Sequence, residues 1–358
     1  MSKIAVGVLG ATGLVGQRLL RRLADHPWFE VTALSGSERS VGRRYGEAVR
    51  WRLPGDPPPA IADLVVQPTA PGLDAALLFS ALPKAVAREV EPTLAQAGYI
   101  VSSNASAFRA TDDVPLILPD VNPAHLALVE TQRQQRGWQG FIVTNANCVA
   151  IPVTLSLKPL YDRFGIDKLF LVSMQAISGA GYPGVASLDI VDNVIPYIGG
   201  EEEKIEIEPR KMLGTLGDGQ IDHAEFPVSA HANRVASRDG HMVCVSVALK
   251  QPATPEEVVA AMRDYRGLPQ QLGLPSAAPQ PILVRDEPDR PQPIRDRDAA
   301  GGMAVTVGRV RDCPLLDIKY VVLGHNTEYG AAGAALLNGE LLAAQGYLGA
   351  SVEELLSG

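Results

Sequence analysis

Short apolar runs alternate with longer stretches of helical period along the first 145 residues. Ile4 to Leu9 reads as a buried strand and Gly13 to Leu23 as a helix; Val31 to Leu34 and Ala75 to Phe79 read as strands. A helix is expected from about Ala85 to Ala97, then buried strands at Tyr99 to Val101 and Phe141 to Val143. Such alternation favours a parallel sheet wrapped by helices. Asp56-Pro57-Pro58-Pro59 is a loop too short to link domains. Beyond residue 148 the texture changes. Long apolar strands are expected at Leu169 to Ala176, His241 to Leu249, Met303 to Val310 and Leu315 to Leu323. Ser178 to Gly184 is a glycine-rich loop, Glu201 to Leu213 a charged helix, and Gly330 to Gln345 a helix of small residues. Thr254-Pro255-Glu256-Glu257 opens another helix, with a capping threonine, proline at the first position and glutamate at the third. Residues 286–300, charged and rich in proline, read as an exposed loop. This half fits a mixed or antiparallel sheet with helices on one side.

With 358 residues the chain has room for two domains. No run approaches the ~18 apolar residues of a membrane helix. Met1 leads straight into the first strand without the features of a secretory signal, so a cytoplasmic protein is expected. Three cysteines without a CxxC spacing argue against a disulfide framework or a metal cluster and fit a reducing compartment. A net charge of −8 disfavours nucleic acid as a partner. Anionic ligands would need local arginines and lysines to overcome that field.

Gly10-Ala11-Thr12-Gly13-Leu14-Val15-Gly16 lies between the first strand and the first helix. A glycine turn there brings backbone N–H groups and the positive helix end to a pyrophosphate. The first half is therefore expected to be a Rossmann-like dinucleotide-binding domain. The second strand ends near Ser35-Gly36-Ser37-Glu38-Arg39-Ser40. NAD enzymes usually carry an acidic residue there; hydroxyls and a guanidinium suit a 2′-phosphate, which favours NADP(H).

Thr144-Asn145-Ala146-Asn147-Cys148 joins the strand Phe141 to Val143 to a helix over Val149 to Tyr161. Proline is tolerated only in a first turn, so Pro152 places the helix start close to Asn147 or a residue or two later. Cys148 then sits at the mouth of a helix, where a thiolate is favoured. Nearby backbone N–H groups and the Asn147 amide are expected to hold a developing oxyanion. Cys244 and Cys313 read as structural cysteines, and His26 and His125 as surface residues. An acyl-transferring thiol needs a proton donor and acceptor. Residue type alone does not separate His223, His231, His241 and His325.

The chain resembles the aspartate-semialdehyde dehydrogenase family, in its archaeal and fungal branch. The resemblance rests on GATGLVG at Gly10, SNASAFR at Ser103, TNANC at Thr144, MQAISGAGYPG at Met174, GGEEEKIEIEP at Gly199, ANRVASRDGH at Ala232 and GMAVTVGR at Gly302, in the family's order. It implies reduction of aspartyl 4-phosphate by NADPH, with Cys148 as the nucleophile that forms a thioester. His241 would be the general base and acid, and Gln175 would position the acyl group. Arg234 would grip the α-carboxylate, Glu201 would face the α-ammonium, and Arg109, Lys204 and Asn147 would hold the phosphate. Thr12, Gly13, Leu14 and Val15, after Gly10, would lie at the cofactor phosphates. Ser37, Arg39 and Ser40 would lie near the 2′-phosphate, Ser80 by the ribose, Ser178 and Gly179 by the nicotinamide, and Asn326 on its amide. The family's architecture implies an α/β chain. Residues 1–147 and 326–358 would form the NADP-binding domain, and residues 148–325 an α+β catalytic and dimerisation domain. The partner would be a second copy, as a homodimer or a homotetramer. The chain departs from the family where proline often replaces Ala146, hydroxyl residues replace Val149 and Ala150, and arginine replaces Tyr329. The rival readings are a malonyl-CoA reductase of the same fold and a silent NADP-binding protein.

Overall fold

The computed structural model describes residues 3–349; the outermost residues of the expected NADP-binding domain lie outside that range. The first sheet is built from β1 (Ile4–Leu9), β2 (Phe29–Ser35), β3 (Val66–Gln67), β4 (Leu77–Ser80), β5 (Ile100–Ser103), β6 (Leu116–Ile117) and β7 (Phe141–Asn145). All its pairings are parallel, in the order β3-β2-β1-β4-β5-β7-β6. Parallel strands need crossovers, and their helices cover both faces, so β4, β5 and β7 are apolar or buried throughout.

The helix Gly333–Ala344 returns from the far end of the chain to pack on β4, β5 and β7. It is buried on every side, which explains a sequence of small and aliphatic residues with no polar stripe. Glu340 inside it pairs with His26 at 3.0 Å.

The second sheet uses β8 (Ile166–Gln175), β11 (Val228–Arg234), β12 (His241–Leu249), β13 (Ile282–Arg285), β14 (Val305–Asp312) and β15 (Ile318–Gly324), in the order β11-β8-β12-β15-β14-β13. A small hairpin, β9 (Thr215–Leu216) with β10 (Ile221–Asp222), stands apart. The mixed sheet matches the expectation for this half. The helix Ala150–Phe164 packs on its inner face. The opposite face leaves Phe170, His231 and Cys244 exposed. The helix Pro255–Asp264 carries the expected capping box, with Thr254 and Glu257 satisfying each other's backbone N–H groups.

Several expectations are corrected. His26 and His125 are buried rather than superficial. His26 stacks on Phe29, and His125 bonds Asn122 and the Gly214 carbonyl. Cys244 is exposed because β12 shows alternate residues to the open face of its sheet. Residues 286–300 are not merely a loop: Pro293–Asp296 is helical, and Asp296 is buried against Arg290.

Candidate active site

Strand register sets one row of functional side chains. In β11 and β8, Arg234 lies opposite Gln175. In β8 and β12, Met174 lies opposite Met242, one residue after His241. His241 in turn pairs with Gly324, the last residue of β15. Four strands therefore deliver Arg234, Gln175, His241 and the His325-Asn326 turn to one edge of the sheet.

Cys148 approaches that edge from the other sheet, in the turn between β7 and the Ala150–Phe164 helix. The helix begins where Pro152 requires. The thiol is half-buried. Burial pushes it up to about 12 and the Glu201 charge adds to the rise, while Arg109, Arg234 and Lys204 oppose it. Loss of water thus opposes the thiolate that the helix end favours. Some of the expected oxyanion donors are already engaged in the free protein. Asn147 Oδ1 accepts the N–H groups of Val149 at 2.8 Å and Ala150 at 3.2 Å, while Asn147 Nδ2 donates to Glu201 at 2.7 Å. One Nδ2 hydrogen of Asn147 remains without a partner among the described residues.

His241 is fully buried, and its Nδ1 accepts the Ala176 N–H at 3.0 Å. A neutral ring held in this way carries its own proton on Nε2. That nitrogen has no partner among the described residues. Burial, then the charges of Arg234 and His325, lowers this histidine to about 3. The ring is therefore a neutral donor. Accepting a proton at Nε2 would require breaking the Ala176 bond, so the base half of the expected role does not fit the resting arrangement.

Gly179 keeps space open in front of these groups. A Cβ there would lie 2.7 Å from Arg234 Nη1 and 3.0 Å from His241 Nε2. Arg234 is anchored by donation to the Ala176 carbonyl at 2.8 Å. Gln175 is buried, with Nε2 donating to Ser173 at 3.3 Å. Lys204 donates to Glu201 at 3.0 Å. The ammonium thus neutralises the carboxylate in the free protein. Gly330 packs on the nucleophile; a Cβ there would lie 2.8 Å from Cys148 Cβ.

A second group faces a cleft of about 230 Å³ between the sheets, lined by Leu14 and the Ile177–Gly184 loop. Gly10 has φ +71°, and a Cβ there would meet the Ala81 carbonyl at 2.8 Å. Gly13 begins the Leu14–Leu23 helix without a side-chain cap, so the first N–H groups, including those of Leu14 and Val15, are left for an anion. Thr12 borders this turn, with its carbonyl held by Gln17 at 2.9 Å. This cradle fits a dinucleotide. Ser37 and Arg39 are exposed at the end of β2, whereas Ser40 is buried and donates to the Ser37 carbonyl at 2.8 Å. Ser80 is fully buried, with its hydroxyl near the Glu91 carboxyl.

Asn326 bridges rather than projects. Its Nδ2 donates to Ser178 at 2.8 Å, and its Oδ1 accepts the Gly240 N–H at 2.8 Å. It thereby ties the Ser178 loop to the residue before His241, with one Nδ2 hydrogen left without a partner among the described residues. Asp239 joins this tie. Burial raises its carboxyl, but bonds from Ser178 and Arg238 and the charges of Arg18 and His325 leave it below the usual range.

The departures have local explanations. Ala146, Val149 and Ala150 are fully buried. Tyr329 is buried, and its hydroxyl donates to Asp120.

Sequence reasoning missed Glu208, which accepts hydrogen bonds from the Asn147 N–H and from Arg109. Its period with Glu201 and Lys204 could have shown it. Lys211, one turn further on, was missed for the same reason.

Two family models match. Residues 5–129 match the semialdehyde dehydrogenase NAD binding domain, and residues 157–328 the semialdehyde dehydrogenase dimerisation domain. The chain is 52% identical to an aspartate-semialdehyde dehydrogenase of Archaeoglobus fulgidus, over 95% of this chain and 98% of that protein. Identity to the Schizosaccharomyces pombe enzyme of the same name is 45%, over 96% and 99%. The solved Candida albicans aspartate semialdehyde dehydrogenase with NADP superposes with a TM-score of 0.88 at 43% identity, covering 95% of this chain and 98% of that one.

Proposed function

The chain belongs to the aspartate-semialdehyde dehydrogenase family, and from that premise we propose that it reduces aspartyl 4-phosphate to aspartate 4-semialdehyde with NADPH through a thioester on Cys148. One observation carries the reading: a thiol whose charged neighbours are one carboxylate, Glu201, and three cations, Arg109, Arg234 and Lys204. That set matches a substrate bearing an ammonium, a carboxylate and a phosphate. A fixed guanidinium forks onto a carboxylate in a way lysine does not, so Arg234 takes the α-carboxylate. Glu201 takes the ammonium, which frees Lys204 to join Arg109 and Asn147 at the phosphate.

The Cys148 sulfur attacks the acyl carbon. The carbon–oxygen bond to phosphate breaks, and the thiol proton leaves with the phosphate as hydrogen phosphate. Gln175 orients the acyl group, and His241 donates from Nε2 to its oxygen as charge develops. When bound, NADPH supplies the hydride that turns the thioester into the aldehyde. Cys148 departs as a thiolate and is reprotonated from solvent. Gly10, Thr12, Gly13, Leu14 and Val15 would hold the pyrophosphate, Ser178 and Gly179 the nicotinamide end, and Ser80 the ribose.

Ser37 and Arg39 read the 2′-phosphate, with Ser40 shaping their turn. Arg39→Ala is expected to raise KM for NADPH about tenfold and leave KM for NADH unchanged, the scale of one exposed charge-assisted contact. Paired kinetics with the two cofactors check this; equal shifts would refute the role.

Glu201→Gln is expected to change two rates in opposite directions. Removing the charge that raises the Cys148 thiol should speed iodoacetamide alkylation of the free protein several-fold. Loss of the ammonium partner should raise KM for the semialdehyde at least tenfold. Slower alkylation would contradict the electrostatic assignment.

The division into an NADP-binding unit of residues 1–147 and 326–358 and a catalytic unit of residues 148–325 is kept as part of this proposal. The exposed sheet face with Phe170, His231 and Cys244 is where a second copy docks, giving a homodimer. A reaction that needs reduced NADP and a free thiol belongs in the cytoplasm. The deciding assay supplies purified protein with aspartate semialdehyde, phosphate and each nicotinamide cofactor, beside malonyl-CoA with NADPH. Phosphate-dependent oxidation of the semialdehyde is expected. Turnover of malonyl-CoA alone would overturn the reading.

A further inference from the structure

We propose that Glu208 is a positioning residue for this reaction, fixing the nucleophile turn and the phosphate-binding arginine as one unit. The inference rests on Cys148 as the nucleophile and Arg109 as a phosphate contact.

Glu208 lies in the Glu201–Met212 helix and is 5% exposed. One carboxylate oxygen accepts the backbone N–H of Asn147, the residue before Cys148. The other accepts from Arg109 Nη1 at 3.3 Å. Each oxygen already serves one of these two groups, which assigns Glu208 to holding them. Both bonds require acceptor oxygens and so favour the ionised carboxylate. Burial raises this carboxyl; Arg109 and the Asn147 N–H pull it back down.

The rest of the Arg109 environment points the same way. Arg109 Nη2 donates to the Asn104 carbonyl at 2.9 Å. Its buried Nε has no partner among the described residues, which leaves a donor for an anion. One turn beyond Glu208, Lys211 Nζ donates to the carbonyls of Arg109 at 2.9 Å, Thr111 at 2.9 Å and Val114 at 3.2 Å. Glu201, Lys204, Glu208 and Lys211 fall at helical spacing and form one stripe. The first pair meets substrate; the second pair holds the groups that meet it. Glu201 also takes the side chain of Asn147 while Glu208 takes its backbone. The spacing between sulfur and phosphate cradle is therefore set by this one helix face, and small losses of such alignment are costly in rate.

The test measures kcat, KM for inorganic phosphate in the oxidative direction and the thermal midpoint for Glu208→Gln and Glu208→Asp. A folded Glu208→Gln protein is expected to show KM for phosphate raised about tenfold and kcat lowered about tenfold, with Glu208→Asp recovering part of both. Combined with Arg109→Ala, Glu208→Gln should add less than about twofold to KM, because the two act on phosphate as one unit. Folded Glu208→Gln with both constants within about twofold of the parent, or full additivity on KM in the double variant, overturns the proposal. Failure of both single variants to fold also overturns it, by making Glu208 a residue of the fold alone. A fully active Cys148→Ser protein would instead sink the underlying reading, whatever Glu208 does.

Discussion

Cys148→Ser is expected to lower kcat by about 10⁴-fold or more while leaving NADPH binding intact. Serine keeps the shape of the turn, so the Asn147 contacts to Val149, Ala150 and Glu201 have no reason to change. The chemistry changes at two points. A hydroxyl is a far weaker nucleophile than a thiol, and any oxygen ester formed accepts hydride poorly beside a thioester. Steady-state assays with cofactor titration separate loss of chemistry from loss of binding. Intact-protein mass spectrometry should find an acyl adduct on the parent and none on the variant. Residual activity above a few per cent would mean that the sulfur is not the acyl carrier.

His241→Asn is expected to lower kcat by about 10²- to 10⁴-fold, since it removes the free donor at the acyl oxygen. The pH behaviour gives a second signature. With its pKa lowered to about 3, the ring remains neutral from pH 8 down past pH 5, so the parent should show no acid limb near 6.5 from this histidine. A limb there that vanishes in the variant would contradict the neutral-donor role. Stability has its own sign. Below pH 6.5 the unfolded chain binds a proton at this position that the folded chain refuses, so unfolding becomes easier as pH falls toward 3. His325 and His125 shift the same way. Denaturant titration should find His241→Asn losing less stability than the parent between pH 6.5 and 4.

Much of this arrangement was legible because it follows from local constraints. The glycine turn at Gly10 must lie between strand and helix, and Pro152 fixes where the next helix can begin; both expectations agree with the structure. The strand carrying Arg234 was not read. Val228–Arg234 alternates valine and alanine with polar residues, and its burial depends on β8 beside it, which no local window contains. Part of the surroundings of Cys148 was hidden for a related reason. Its place at a helix mouth suggested a thiolate, but the carboxylate of Glu201 and the loss of water come from distant chain segments. Choosing His241 among the histidines needed the resemblance, because Arg234 and Gln175 meet it only through strand register and Gly179 through the turn that follows β8.

The late return of Gly333–Ala344 to the first sheet bears on how the chain matures. Strands β1 to β7 are complete by residue 145, yet Leu336, Leu337, Leu341 and Leu342, which seal them, come almost two hundred residues later. During synthesis the early layer must wait with its oily surface uncovered until the helix Gly333–Ala344 leaves the ribosome, a window in which nascent chains are prone to stick to one another.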